Sequence, residues 1–486
     1  MKGRVDHTVS HDSARAGATV SATRRLPPDV GPRAFDAALD GFADAVGSAH
    51  VLQLDDELLP YAVSLDPAGD VFPAAVVRPA DTDEVGRVVE VANRYRIPLH
   101  PISRGLQHGL GLATAVSPAC VTVDLSRMDR IVEYDAELGF AVIQPGVTFR
   151  QLYEYLRDLD APYWISPISG PVDASVIGNA LDKGAGYTPL GNHFANLIGL
   201  EVVLGDGRVL LTGDGALDGA KTLYTHKGGC GPMLDQLFAQ SNYGIVTRAA
   251  VWLMPAPPDA RGFVFSFPRA DDVARAAAVA GRLKLTGAIP STVSIANDQF
   301  CVAVATPRAF PCGTPGRPPL DGSLAKLRDA FGVGAWNVIG CVYGPTAELA
   351  GRVRSLHDAF AATGPVRYLA EEEASENKAF GYRFALAKGI PDETETDVYN
   401  LHENGSSLYF LPSVPFLGPH ARAVTELARG VCSRHGFAYT SQFLCSPRSM
   451  RNTQPIVFDS CNPPRRVWEL LSRPDESRAL VTVESR

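Results

Sequence analysis

SVIGNALDKGAGYTPLGNH, residues 175–193, is the stretch on which the reading of this chain turns. Gly178, Gly184, Gly186 and Gly191 stand here among small and β-branched side chains. Glycine at that density supplies positive-φ turns or lets backbone come close to a flat or charged ligand. Ser175 opens the stretch, and Asn179, Asp182, Lys183 and Tyr187 are the bulky polar side chains at its centre. Alone, it reads as a glycine-rich loop beside a short helix.

Its neighbours narrow the reading. Upstream, PLHPISRGLQHGLGLA (98–113) is a second glycine-rich turn that directly follows an apolar strand. Before it, AAVVR (74–78) is a short strand stopped by Pro79, and DTDEVGRVVEVANRYR is a helix with an acidic start and a basic end. Strand, helix, strand and glycine loop is the layout of an α/β nucleotide binder. CVTVDLS (120–126), IVEYDAELGFAVIQPG (131–146) and TFRQLYEYLRDL continue the mixed pattern. NLIGLEVVLGDGRVLLTG is a hairpin turning at Asp206-Gly207. GPMLDQLFAQSNYGIVTRAAVWLMP reads as helix, turn and strand.

PAPP at 255–258 marks a boundary. Beyond it, GFVFSFPRADDVARAAAVAGRLKL and WNVIGCVYGPTAELAGRVRSLHDAFAAT are two strand-then-helix units, which predict an antiparallel sheet with helices on one face. CGTPGRPP (312–318) reads as a surface loop. PRAFDAALDGFADAVG puts Phe35, Ala38, Leu39, Phe42 and Val46 at helical spacing.

Composition excludes several classes. A chain of 486 residues is too long for one ordinary core, and 45% apolar with 20% charged residues describes a globular protein. A net charge of −8 without basic runs argues against a nucleic-acid partner. No stretch approaches about 18 consecutive apolar residues, so no membrane span is expected. Residues 1–25 are polar, lack the apolar core of a secretory signal, and read as a disordered leader. Eight cysteines without metal-like spacing read as buried or free thiols of a reducing cytoplasm.

The two glycine segments, RPADTDEVGRVVEVANRYRIP (78–98), VIQPGVTFRQLYEYL (142–156) and QSNYGIVTRAAVWLMP (240–255), in this order, resemble the vanillyl-alcohol oxidase and p-cresol methylhydroxylase flavoproteins. The resemblance runs from about Leu26 to Pro255, then more loosely to about Asp459. It implies an α+β fold, with a two-subdomain FAD-binding domain over 26–255 and a ferredoxin-like antiparallel-sheet cap from 256 to 486. It also implies an FAD-dependent oxidoreductase taking hydride from a small alcohol, phenolic or amine-bearing metabolite, with oxygen or an electron carrier as acceptor. A homodimer is one assembly it allows.

Carried onto this chain, the resemblance makes Ser103, Arg104, Gly105, Leu106, Gln107, His108 and Gly109 the pyrophosphate loop. Ser175, Gly178, Asn179, Gly184, Ile245 and Val246 join them as cofactor-binding residues, and Tyr187 becomes the active-site tyrosine. Exposed N–H groups in such a loop form an anion cradle. Arg104 is either a charged cofactor contact or a solvated surface arginine. His108 has the spacing from Arg104 at which berberine-bridge-type relatives carry a flavin-linked histidine, while Ser407 occupies the cap position where a nucleophile is usual. His108 is therefore either a covalent tether or a phosphate or ribose contact.

The chain departs from the resemblance where a phenolate would bind. Leu110 replaces a second tyrosine, Gly170 stands where an acid is expected with Asp173 displaced by three, and the chain stops before the family's Tyr-Arg pair and returning FAD-domain segment. His193, His402, Glu403, Tyr409 and Arg448 are candidate substitutes. Two alternatives stay open: a flavin-binding protein without redox turnover, such as a scaffold or cyclase, and the defective product of a truncated reading frame.

Overall fold

A computed structural model describes residues 24–62, 71–107, 112–229, 231–309, 321–402 and 405–459. The first sheet has the order β1 (Val51–Leu52), β2 (Ala75–Val77), β4 (Val121–Asp124), β3 (Leu99–Ile102). β2 and β3 both run parallel to β4, so the turns after them share one edge. Helix α1 (Pro32–Val46) and helix α3 (Thr82–Tyr95) cover this sheet, and short α2 (Asp55–Ala62) lies between β1 and β2. Phe35, Ala38, Phe42 and Val46 pack with Val85, Val88 and β2, as the helical spacing predicts. Helix α3 begins where Asp81 accepts a hydrogen bond from the Glu84 N–H at 2.8 Å, an N-cap pairing.

The second sheet is antiparallel, in the order β5 (Ile131–Asp135), β6 (Phe140–Ile143), β10 (Gly244–Trp252), β8 (Leu197–Leu204), β9 (Val209–Leu211). The β8–β9 hairpin turns at Asp206-Gly207, with Gly207 at φ 86°, a value that glycine adopts freely. Helix α4 (Phe149–Asp158) packs on this sheet through Phe149, Leu152 and Leu156. β7 (Tyr163–Trp164) and β11 (Met254–Pro255) form a small separate ladder, and α5 (Val176–Leu181) starts the decisive stretch. The helix expected before β10 is only a 3-10 turn over Leu234–Phe238. Its Asp235 is buried and accepts a hydrogen bond from the Thr212 hydroxyl at 2.5 Å, so a distant contact rather than helical periodicity sets its shape.

The third sheet is antiparallel throughout: β15 (Arg367–Ala370), β12 (Asp259–Phe267), β14 (Trp336–Gly344), β13 (Val293–Asn297), β18 (Gln442–Cys445), β19 (Ser449–Asp459), β16 (Gly405–Phe410), with β17 (Ser413–Pro415) also on β19. Helices α6 (Val273–Leu285), α9 (Thr346–Ala361) and α12 (Gly418–His435) cover one face. The expectation of helices on one face only is corrected here. The opposite face carries α7 (Asp298–Ala305), α8 (Asp321–Ala330), α11 (Gly381–Ala387) and the turn at Thr394–Leu401. Alternation along the strands explains it: Phe263, Phe265 and Phe267 point to the first layer, Val264 to the second. Short α10 (Glu371–Ala374) follows β15.

Cys120, Cys301, Cys341, Cys432 and Cys445 are buried free thiols, and the segment 312–318 lies outside the described residues. Among the described residues no helix is long and apolar enough to cross a membrane.

Candidate functional site

The two glycine segments meet. Ser103 to Gln107 leave the C-terminal end of β3, and a Cβ on Gly178 would stand 2.6 Å from the Ser103 hydroxyl. Only a glycine on α5 lets the loop approach so closely. Gly105 has φ 64°, and a Cβ there would meet the Ala113 Cβ at 2.6 Å. Among the described residues, the backbone N–H groups of Arg104, Gly105, Leu106 and Gln107 find no acceptor. Four free donors in a glycine turn fit a pyrophosphate. Arg104 itself donates from Nε to the Asp173 carbonyl at 3.4 Å. His108 and Gly109 lie outside the described residues.

Ser175 caps α5: its hydroxyl accepts from the Gly178 N–H at 2.8 Å and donates to the Pro145 carbonyl at 2.5 Å. Asn179 on the same helix holds His193, with Oδ1 and Nδ1 2.6 Å apart. A Cβ on Gly184 would fall 2.2 Å from Asn179 Oδ1, and one on Gly186 would fall 2.3 Å from both His193 Nε2 and the Ser166 hydroxyl. These glycines let the strip fold around an amide and an imidazole. His193 is buried, and desolvation pulls its pKa down to about 4, although the nearby Ser166 backbone favours the charged ring slightly. Its Nε2 and the Ser166 hydroxyl are buried without a hydrogen-bond partner.

Ile245 and Val246 are consecutive on β10 and face opposite ways. Ile245 joins the core of the first sheet and Val246 that of the second, so this strand ties the two together.

Tyr187 is 3% exposed and its phenol lies 2.9 Å from the Ser169 hydroxyl. Burial lifts its pKa to about 12, with the Arg383 guanidinium pulling the other way. That guanidinium, on α11, sits 4.7 Å from the Tyr187 ring centroid. Arg383 is buried, paired through Nη2 with Glu395 and with the Gln442 side-chain oxygen, and donates from Nε to the Tyr382 hydroxyl at 3.0 Å. Gln442 Nε2 donates to the other Glu395 oxygen at 2.8 Å. Tyr399 and Tyr409 hydroxyls lie 2.5 Å apart beside this group. Burial raises the pKa of Tyr382, Tyr399 and Tyr409 as well, so all four phenols stay protonated near neutral pH.

Of the substitutes read from sequence, Tyr409 joins this group and His193 sits on the α5 side. His402 is half-buried, Arg448 is exposed at the β18–β19 turn, and Glu403 lies outside the described residues. Asp173 is half-exposed and pairs with Arg150 at 2.9 Å. Sequence reasoning missed Arg383, Glu395, Tyr382, Tyr399 and Gln442. The signal available was an arginine inside the apolar run FGYRFALA and a glutamate in a polar segment, neither of which points anywhere by itself.

The FAD binding domain family matches residues 73–213. The 4-cresol dehydrogenase (hydroxylating) flavoprotein subunit of Pseudomonas putida is 33% identical over 441 residues, 90% of this chain and 84% of that protein. A 1'-carboxy-chondrochloren decarboxylase from Chondromyces crocatus is 35% identical over 302 residues, 62% of this chain and 56% of that one. A solved 4-ethylphenol oxidase from Gulosibacter chungangensis, in complex with isoeugenol, aligns with a TM-score of 0.88 at 30% identity, covering 94% of this chain and 88% of that one. Fold, glycine cradle and likeness together define an FAD-linked oxidoreductase. The chain belongs to the p-cresol methylhydroxylase-type family of FAD-linked oxidases and dehydrogenases, and its cofactor is FAD.

Two outcomes test the cradle. Gly178→Val is expected to strip FAD from folded protein, because overpacking such a contact costs about 1–3 kcal/mol; the absorbance ratio of flavin to protein measures it, and full occupancy would remove α5 from the cofactor site. His193 is neutral when folded and protonates when unfolded below its ordinary pKa of 6.5, so stability falls as pH drops from there towards 4. His193→Gln is expected to flatten that acid loss by about 3 kcal/mol, read from denaturant midpoints at two pH values.

Proposed function

We propose that this chain oxidises a small alcohol, phenolic or amine-bearing metabolite by removing hydride from a saturated carbon of it that is activated by the oxygen or nitrogen. FAD, when bound, supplies the hydride acceptor at N5. The observation that carries the reading is the Tyr187 phenol, buried, protonated, linked to Ser169 and lying against the Arg383 guanidinium. As a neutral phenol it donates to substrate oxygen and steadies negative charge growing there. The Arg383 charge in a desolvated setting strengthens that donor. Ile168, Ser169 and Gly170 are only half-buried, so a proton leaving the substrate has a path to water along this loop.

The relatives named for 4-cresol and 4-ethylphenol support phenolic chemistry, and the one named as a 1'-carboxy-chondrochloren decarboxylase supports an acid-bearing substrate as a second class. Leu110 and Gly170, where phenol-binding relatives are expected to have a tyrosine and an acid, favour a substrate other than a plain alkylphenol.

Tyr187→Phe is expected to keep FAD and slow flavin reduction by about 10²-fold, the effect of losing one donor to a developing oxyanion. Stopped-flow reduction without oxygen measures it, and an unchanged rate would make Tyr187 a packing residue. Repeating the titration in air separates dioxygen from a carrier as acceptor. We also infer a tether at His108, supported by Ser407, which stands buried on β16 beside Tyr399 and offers no imidazole or phenol. Acid precipitation is expected to leave colour with the polypeptide, and His108→Ala to release it; release from the unaltered protein would end the idea.

A further inference from the structure

Arg383 has more donors than the protein uses. Nε serves the Tyr382 hydroxyl, and Nη2 serves Glu395 and Gln442. Nη1 is buried and has no partner, on a side chain only 2% exposed. Glu395 does not serve it. One of its oxygens takes Nη2 and the Tyr382 hydroxyl at 3.3 Å, and the other takes the Gln442 amide. A buried charged donor without an acceptor costs more than the roughly 1–3 kcal/mol of a neutral one. Such a group persists where a ligand supplies the missing acceptor.

The surroundings say what the acceptor is. Arg383 lies 4.7 and 4.9 Å from the Tyr187 and Tyr382 ring centroids, so the guanidinium plane is held between phenols that donate rather than carry charge. The loop joined to Tyr187 through Ser169 brings no acid: residue 170 is glycine, and a Cβ there would touch only the Ile168 side chain, at 3.2 Å. Asp173 turns away to Arg150. The free Nη1 of a charged guanidinium makes its strongest hydrogen bond to an ionised oxygen, and a carboxylate supplies one.

We propose that the Nη1 edge of Arg383 receives a carboxylate of the substrate, so that the metabolite oxidised beside Tyr187 is an organic acid. This rests on the oxidoreductase reading of the same site. A carboxylate held there is fixed by a charge-assisted bond, while the substrate's reacting carbon stays near the Tyr187 phenol. Glu395 already neutralises the guanidinium, so a bound carboxylate brings one net negative charge that the surrounding phenol donors have to steady. The competing source of an acceptor is a carbonyl oxygen of the flavin itself.

Benzoate and its uncharged counterpart benzamide, titrated into FAD-loaded protein, decide between them through the flavin visible band. Benzoate is expected to perturb the band saturably and benzamide to bind far more weakly. Arg383→Met is expected to keep FAD and weaken benzoate by about 10- to 100-fold, the loss of one charge-assisted pair, with Arg383→Lys intermediate. Because removing one member of a buried pair leaves a stranded charge, Arg383→Met with Glu395→Gln provides a second, charge-balanced variant with the same expectation. Equal affinity for benzoate and benzamide, no benzoate binding, or benzoate binding unchanged in the charge-balanced variant overturns the proposal. So does loss of FAD from that variant together with an unaltered benzoate response in whatever remains loaded, which assigns Nη1 to the flavin. Unaltered protein that holds no FAD, or never undergoes flavin reduction, fails the oxidoreductase reading instead.

Discussion

Close backbone approach along residues 175–193 is the constraint on which the rest of this site depends. Side chains at four positions would collide with Ser103, Asn179, His193 or Thr292, each at 2.6 Å or less. Gly191 meets Thr292, whose N–H also donates to the Tyr187 carbonyl at 3.2 Å, so the strip touches the third sheet as well as the first. One run of backbone is therefore packed against the Ser103 loop, the imidazole and the edge of the large antiparallel sheet at once. Glycine is the residue that allows this without strain in its neighbours.

The second organising feature is a polar knot inside an apolar layer. Arg383, Glu395 and Gln442 are each buried and bonded to one another, with phenols around them. Exchanging water for this network stabilises little on balance, since desolvation offsets attraction. Its value is positional. The guanidinium is locked in one orientation against Tyr187, and its direction is set by partners rather than by solvent. The elevated phenol pKa values follow from the same exclusion of water, and they keep the hydroxyls as donors over the whole neutral range.

Local order was legible because it rests on local chemistry. Helix α3 has its Asp81 cap and its apolar stripe in consecutive residues, and the β8–β9 turn announces itself as Asp-Gly. The glycine segments were legible for the same reason, and the structure packs Ser103 against Gly178 where the two meet. The second helical layer on the third sheet was not, because strands buried on both faces lose the alternation that marks a solvent side. The 3-10 turn at Leu234–Phe238 was misread as helix, since its shape comes from a bond to Thr212 far away in sequence.

The amino-acid sequence by itself determined most of the element types, the two glycine turns, the family and the flavin, all of which depend on residue identity at short spacing. The tertiary structure alone decided what surrounds Tyr187. Arg383 and Gln442 are 59 positions apart, and Glu395 and Gln442 are 47, so no window of sequence contains the knot. An isolated arginine in an apolar helix looks like a flaw until the fold brings an acid and an amide to it. Which of its nitrogens is left over is a matter of orientation, and orientation exists only once the helices have packed.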